Sequence, residues 1–217
     1  MDREQLKTAV VAEVEKEQRA LVELSLRLHA NPEIGFQEVQ AAGWLCQYLE
    51  GKGFHVEKGM AGLATAFRAS YGRGRPVVAF LAEYDALPQI GHGCGHNIIA
   101  AAGVGAGVAS RLAADRLPGS IQVIGTPGEE MYGGKVIMAR HGVFSDLDAA
   151  MMVHPGARDT AYTHALACAI LDVEFFGVAS HAAAHPEEGA NALEAMILSF
   201  NGIDALRQHI KDSSRIH

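Results

Sequence analysis

Short apolar runs alternating with helical segments constrain this chain more than any other feature. Pro76-Val77-Val78-Ala79-Phe80-Leu81 is continuously apolar and bounded by turn residues, so it reads as a buried strand. Ser120 to Thr126 and Asp148 to Val153 read as a second and a third. A helix over 97–116, with Asn97 as its cap, and a short one over 133–141 separate them. Strands alternating with helices predict an α/β fold, a mainly parallel sheet covered by helices on both faces.

Before the first run lie two more helices. Asp2 and Gln5 form a start signal, and Val10, Val14, Leu21, Leu24 and Leu28 recur at near-helical spacing until Asn31-Pro32 ends the element. A second helix runs from about Gln37 to Glu50, closed by Gly51 and Gly53, and Ala64 to Ser70 follows as a further segment. Gly103, Gly105 and Gly107 lie inside an Ala-rich segment rather than directly after a strand, which points to close helix packing, not a phosphate loop. Past Thr163 the pattern changes: Leu166 to Phe176 reads as a long strand and Asn191 to Ile210 as a helix. The expected domains are therefore 1–164 and 165–217.

With 217 residues, 49% of them hydrophobic, the chain can bury a complete core. Its net charge of −7 and the absence of a basic cluster argue against a nucleic-acid partner. Ile98 to Ala109 falls short of the roughly 20 residues that span a bilayer, so no membrane anchor is expected. The charge-dense N-terminus does not read as a signal peptide. Cys46, Cys94 and Cys168 are odd in number and far apart, which favours a reducing compartment and a cytoplasmic location. Cys46 and Cys168, in apolar surroundings, are expected to be buried; only Cys94 has a chemical context.

That context is Gly91-His92-Gly93-Cys94-Gly95-His96-Asn97. In extended backbone residues i and i+2 share a side, so Cys94 and His96 can converge on one ion. Open α/β sheets build sites at the carboxyl ends of their strands. Here the first run is followed by Glu83 and Asp85, the second by Glu129 and Glu130, and the third by His154. Thiol, imidazoles and carboxylates together suit Zn²⁺, Mn²⁺ or Co²⁺. One of the adjacent glutamates could ligate while the other moves a proton. Taken alone, Glu129-Glu130 also reads as a solvated acidic pair at a helix start. Cys94 could alternatively serve as the nucleophile of a thiol hydrolase.

Taken in order, Asn31 to Glu38 (NPEIGFQE), Glu83 to Pro88 (EYDALP), Gly91 to Asn97, Thr126 to Glu130 (TPGEE), Val153-His154-Pro155 and Ser180 to Ala184 (SHAAA) resemble the M20 metallopeptidase and amidohydrolase family from about residue 20 onward. The likeness is to its branch of aminobenzoyl-glutamate hydrolases, N-acyl-amino-acid hydrolases and M20 domain-containing 2 dipeptidases. The resemblance implies a zinc-peptidase-like catalytic domain over 1–164 and the start of an α+β lid and dimerisation domain over 165–217. It implies two divalent ions (Zn, Mn or Co) and hydrolysis of an amide bond, in a small N-acyl amino acid or dipeptide-like substrate, by a metal-bound water. Cys94 becomes a bridging thiolate, His96, His154 and Glu130 ligands, Glu129 the general base, and Asp85 the partner that orients a ligand histidine. His181 becomes an oxyanion donor, often across a homodimer interface, and Asn191 a substrate contact. Asn97 stands where related sequences often have Asp. The family's lid is an insertion after which the catalytic domain resumes and supplies one more histidine ligand. Ending at Arg215-Ile216-His217, this chain reads as a fragment or a shortened relative, which keeps open an inactive member acting by association.

Overall fold

The computed structural model describes residues 2–162 and 167–217, in two compact units, Met1–Asp159 and Thr160–His217. The boundary expected at 164 falls outside the described residues.

The first unit opens with α1 (Arg3–Ala30). Asp2 and Gln5 make a reciprocal cap: the Asp2 carboxylate accepts the Gln5 N–H at 2.8 Å, and the Gln5 side chain accepts the Asp2 N–H at 3.0 Å. The helix stops at Ala30, because Asn31 precedes Pro32 and is pushed out of helical backbone. There follow α2 (Val39–Gly51), β1 (His55–Lys58), β2 (Phe67–Arg73), β3 (Val77–Ala82), α3 (His96–Ala114), β4 (Gly119–Gly125), α4 (Glu129–Tyr132), α5 (Gly134–Arg140) and β5 (Ala149–Met151).

The three apolar runs are β3, β4 and β5, in a five-stranded sheet of order β1-β2-β4-β3-β5. β3 pairs in parallel with both β4 and β5, whereas β2 is antiparallel to β1 and to β4. Four strands therefore run one way and β2 the other, so the sheet is mixed around a parallel centre. Connection length explains the difference. The short link from β1 to β2 can only return the chain antiparallel, while β3 reaches β4 through α3, a crossover long enough to restore direction.

Each central strand alternates between two cores. Val78, Phe80 and Ala82 face the layer of α1, α2 and α3, with Leu24, Leu28, Leu45, Leu49 and Val104. Ala79 and Leu81 face α5, with Met138, Val143 and Ile124. The helices thus cover both faces. The three glycines of α3 are packing contacts, as expected: a Cβ on Gly103 would lie 2.6 Å from the Leu81 carbonyl oxygen, one on Gly105 2.7 Å from Leu21 of α1, and one on Gly107 would overlap Val123. By length and composition α3 could cross a membrane, yet it is a core helix between the sheet and α1. Its N-cap is Gly95, not Asn97; Asn97 lies inside the first turn, where its amide donates to Ser25 Oγ at 2.9 Å.

In the second unit, α6 (Ala192–Leu206) is capped by Asn191, whose side-chain oxygen accepts the Glu194 N–H at 3.1 Å. Val178 and Ala190 form an isolated antiparallel bridge. The strand expected over 166–176 is not formed among the described residues 167–176. A strand needs a neighbour to satisfy its N–H and C=O groups, and none of the described residues pairs with this segment. Ile170, Leu171, Val173 and Phe176 are exposed, Phe176 at 85%. Cys168 is exposed too, contrary to expectation, whereas Cys46 is buried in the α2 core.

Candidate metal centre

The polar cluster assembles at the carboxyl ends of β3, β4 and β5. Glu83 and Asp85 leave β3 and are both buried. His96 is the first residue of α3, so the chain must turn sharply from Cys94 into the helix. Gly95 makes that turn with a left-handed backbone, φ 77°. A Cβ there would also meet Pro155 at 2.9 Å, so the glycine lets the neighbour of His154 close against the loop. Gly128, at φ 63°, turns the chain after β4 and opens α4 with Glu129 and Glu130.

His96 is the centre of the cluster. Its Nδ1 lies 2.9 Å from Asp85 Oδ1, and the other Asp85 oxygen accepts the Glu130 N–H at 3.0 Å. An Nδ1–H donated to a carboxylate leaves the Nε2 lone pair pointing away from it. That Nε2 faces Glu83 Oε2 at 3.5 Å, Glu129 Oε2 at 3.8 Å and Glu130 Oε1 at 3.8 Å. His154 is arranged alike: its Nδ1 lies 2.7 Å from the Pro155 carbonyl oxygen, and its ring stands edge-on to His96 with centroids 6.1 Å apart. In this cluster two sets of donor atoms lie mutually within 4.8 Å: Glu83, His96 and His154; and His96, Glu129 and Glu130. The other Glu83 oxygen pairs with Lys135 Nζ.

The charges perturb one another. Burial works against protonation of His96, but its bond to Asp85 and the nearby carboxylates outweigh burial and raise its pKa. Burial likewise favours the neutral form of Asp85, yet the bonds from His96 and the Glu130 N–H hold it below the usual carboxylate range. Glu129 is raised, first by burial and then by Glu83. The Cys94 thiol, hydrogen-bonded to Glu130 and flanked by carboxylates, is pushed up to about 11. A thiol so surrounded is protonated at neutral pH, which counts against its service as a free nucleophile; a bound cation would reverse that balance.

Two atoms test whether a cation suits the cluster. His96 Nε2 and Glu83 Oε2 are both buried without a hydrogen-bond partner, and they face each other. Their 3.5 Å separation matches the about 3.4 Å between two ligands of a tetrahedral ion with bonds near 2.1 Å. Imidazole and carboxylate donors suit a divalent ion, and the residues fit one.

Of the residues singled out from sequence, Asp85, His96, Glu129, Glu130 and His154 converge here. Cys94 sits one step out, on Glu130, and belongs to neither donor set. The ring of His92 stacks on that of His29, with centroids 6.3 Å apart, and belongs to neither donor set. His181 and Asn191 belong to the second unit; His181 Nδ1 accepts the Ala184 N–H at 3.1 Å, so in the neutral ring Nε2 carries the proton and can donate. Glu83 was placed at the strand end but given no role of its own, and Lys135 was not singled out. Glu83 carries a signal, since Glu83 and Asp85 have the same i, i+2 spacing as Cys94 and His96; Lys135 carries none.

A buried imidazole, its orienting carboxylate and further carboxylates at the strand ends of an α/β sheet make a donor set of the metal-binding type. Comparison with known proteins narrows the class. No family model matches the chain. It is 38% identical over 229 residues to a mouse Xaa-Arg dipeptidase, covering 99% of this chain and 53% of the relative. It is 35% identical over 224 residues to one of the subunits of the Escherichia coli p-aminobenzoyl-glutamate hydrolase, covering 94% and 47%. A Bacillus subtilis dinuclear metal-binding peptidase of the M20 family superposes with a TM-score of 0.56 at 26% identity, covering 63% of this chain and 42% of that one. The chain is similar in sequence to these hydrolases and in fold to a peptidase of the M20 family. It spans about half the length of the curated relatives it matches.

Proposed function

We propose that the chain carries the metal-binding part of a hydrolase that cleaves an amide bond in a small N-acyl amino acid or dipeptide-like substrate. The observation that carries the reading is the pair of buried, unpartnered atoms His96 Nε2 and Glu83 Oε2, facing each other amid Glu129, Glu130 and His154. The similarity to a dipeptidase and to an aminobenzoyl-glutamate hydrolase supports the reaction class, since both names denote amide cleavage.

In this reading His96, His154, Glu130 and Glu83 hold two divalent ions, zinc, manganese or cobalt, with Cys94 joining as thiolate. Divalent ions held there would acidify water and polarise a carbonyl. Glu129 takes the proton from the attacking water and returns it to the departing amine nitrogen. Its side chain, 42% exposed at the rim of the cluster, can reach substrate, and its raised pKa suits both halves of the transfer. Asp85 keeps His96 in the tautomer that presents Nε2. His181 donates from Nε2 to the developing oxyanion. A homodimer through 165–217, a substrate contact by Asn191 and a cytoplasmic location complete the proposal; the three free cysteines agree with the last.

Metal content after dialysis against metal-free buffer tests it. Near two ions per chain supports a complete centre. One ion or none would overturn the two-ion reading for this chain.

A further inference from the structure

Glu38 is fully buried, yet it makes no ion pair among the described residues. It stands at the N-cap of α2 without capping it. Its carboxylate is used instead between segments distant in sequence. Oε1 accepts the Gly128 N–H at 2.7 Å, and Oε2 accepts the Thr65 hydroxyl at 2.9 Å. The Thr65 carbonyl in turn accepts the hydroxyl of Tyr84 at 2.7 Å. Tyr84 lies between Glu83 and Asp85, and Gly128 directly precedes Glu129 and Glu130. A buried line of hydrogen bonds therefore runs from one site loop through Glu38 to the other.

The backbone around Glu38 serves the same contact. Phe36 adopts a left-handed conformation, φ 64°, unfavourable for a residue with a side chain. Its ring lies against Gly128, where any Cβ would fall 2.6 Å from it. A Cβ on Gly35 would lie 2.6 Å from Met131 and 2.9 Å from the Gly128 Cα. Upstream, the Glu33 carbonyl accepts the Ala86 N–H at 2.8 Å. Residues 33–38 thus grip both loops at once. A buried carboxylate without a cation is costly, and for packing alone an apolar side chain would serve better.

We infer that Glu38 is a positioning residue, which with Phe36 fixes the turn at Gly128 relative to Glu83 and Asp85 so that Glu129 and Glu130 face His96. This rests on the hydrolase reading of the centre. It adds a residue with no contact to substrate or ion, acting through the main chain at Gly128.

Cobalt(II) titration of the purified chain, followed by visible absorption and paired with urea unfolding of the metal-free protein, tests the inference. Glu38→Gln keeps an acceptor oxygen for the Gly128 N–H and should bind cobalt as the unaltered chain does. Glu38→Leu, which leaves the Gly128 N–H and the Thr65 hydroxyl without their acceptor, should bind about 10–100-fold more weakly, the usual scale for lost partners of ligands, with an altered spectrum and a loss larger than its lowered unfolding midpoint accounts for. Unaltered affinity and spectrum in Glu38→Leu would overturn the inference, as would a loss of affinity that merely tracks lost stability. If Glu38→Leu does not fold, Phe36→Gly decides: glycine suits the φ there, so weaker binding by a stable variant supports the grip and unchanged binding overturns it. An unaltered chain that binds no cobalt refutes the metal centre, and this inference with it.

Discussion

Two of the buried charge networks in the described residues differ in one respect. On the flank of α1 and α2, Glu17 is fully used: Oε1 meets Lys52 Nζ at 2.6 Å and Oε2 accepts the Tyr48 hydroxyl at 2.6 Å. At the sheet edge, His96 and Glu83 each keep one buried atom without a partner. A satisfied network is complete as it stands and contributes to the fold. An unsatisfied one is costly until something else arrives, so it persists where a ligand completes it. The same residue chemistry serves stability in one place and reactivity in the other, according to whether the last lone pair is taken.

The comparison breaks most readily at Glu129. Glu129→Gln is expected to lower turnover of an N-acyl amino acid or dipeptide by roughly 10²-fold or more while metal content stays constant; unchanged turnover would remove Glu129 from proton transfer. Next in size, Asp85→Asn should weaken metal binding by about 10–100-fold, because the amide no longer fixes the His96 tautomer. Equilibrium dialysis reads this, and an unchanged affinity would mean that Asp85 does not orient His96.

How much of this was legible in sequence depends on what each residue needed. The cap at Asp2 and Gln5 and the small-residue face of α3 were readable because local spacing fixes them. Asp85, His96, Glu129, Glu130 and His154 were readable because strand ends share an edge. The cap of α3 was misassigned to Asn97 because a left-handed Gly95 ends the loop earlier, a conformation that composition does not reveal. Lys135 was invisible, since its partner Glu83 is far off in sequence and a lysine on a short helix is ordinarily a solvated charge. The expected strand over 166–176 had the right side chains, but pairing is a property of two segments. Only the first was in view.

The satisfied network supplies the smaller effects. Glu17→Gln should cost about 1–3 kcal/mol by urea unfolding and leave metal stoichiometry untouched. Lys52→Met should cost more, because it strands a buried carboxylate. If either variant also loses metal, the two networks are not independent. The last effect is in pH. The Lys52 and Tyr48 bonds hold Glu17 below its ordinary 4.5, so its contribution is present above pH 4.5 and is lost as pH falls through the lowered value. The stability gap between the unaltered chain and Glu17→Gln should therefore be constant near neutrality and shrink in acid.

Gly103 has a reach beyond its own packing. It rests on the carbonyl of Leu81 in β3, seven residues and about 10 Å along α3 from His96. The helix that bears the imidazole and the strand that leads to Glu83 and Asp85 meet closely there. Lifting the helix there by the thickness of one methyl group would swing His96 away from both carboxylates at once, as a lever moves its far end.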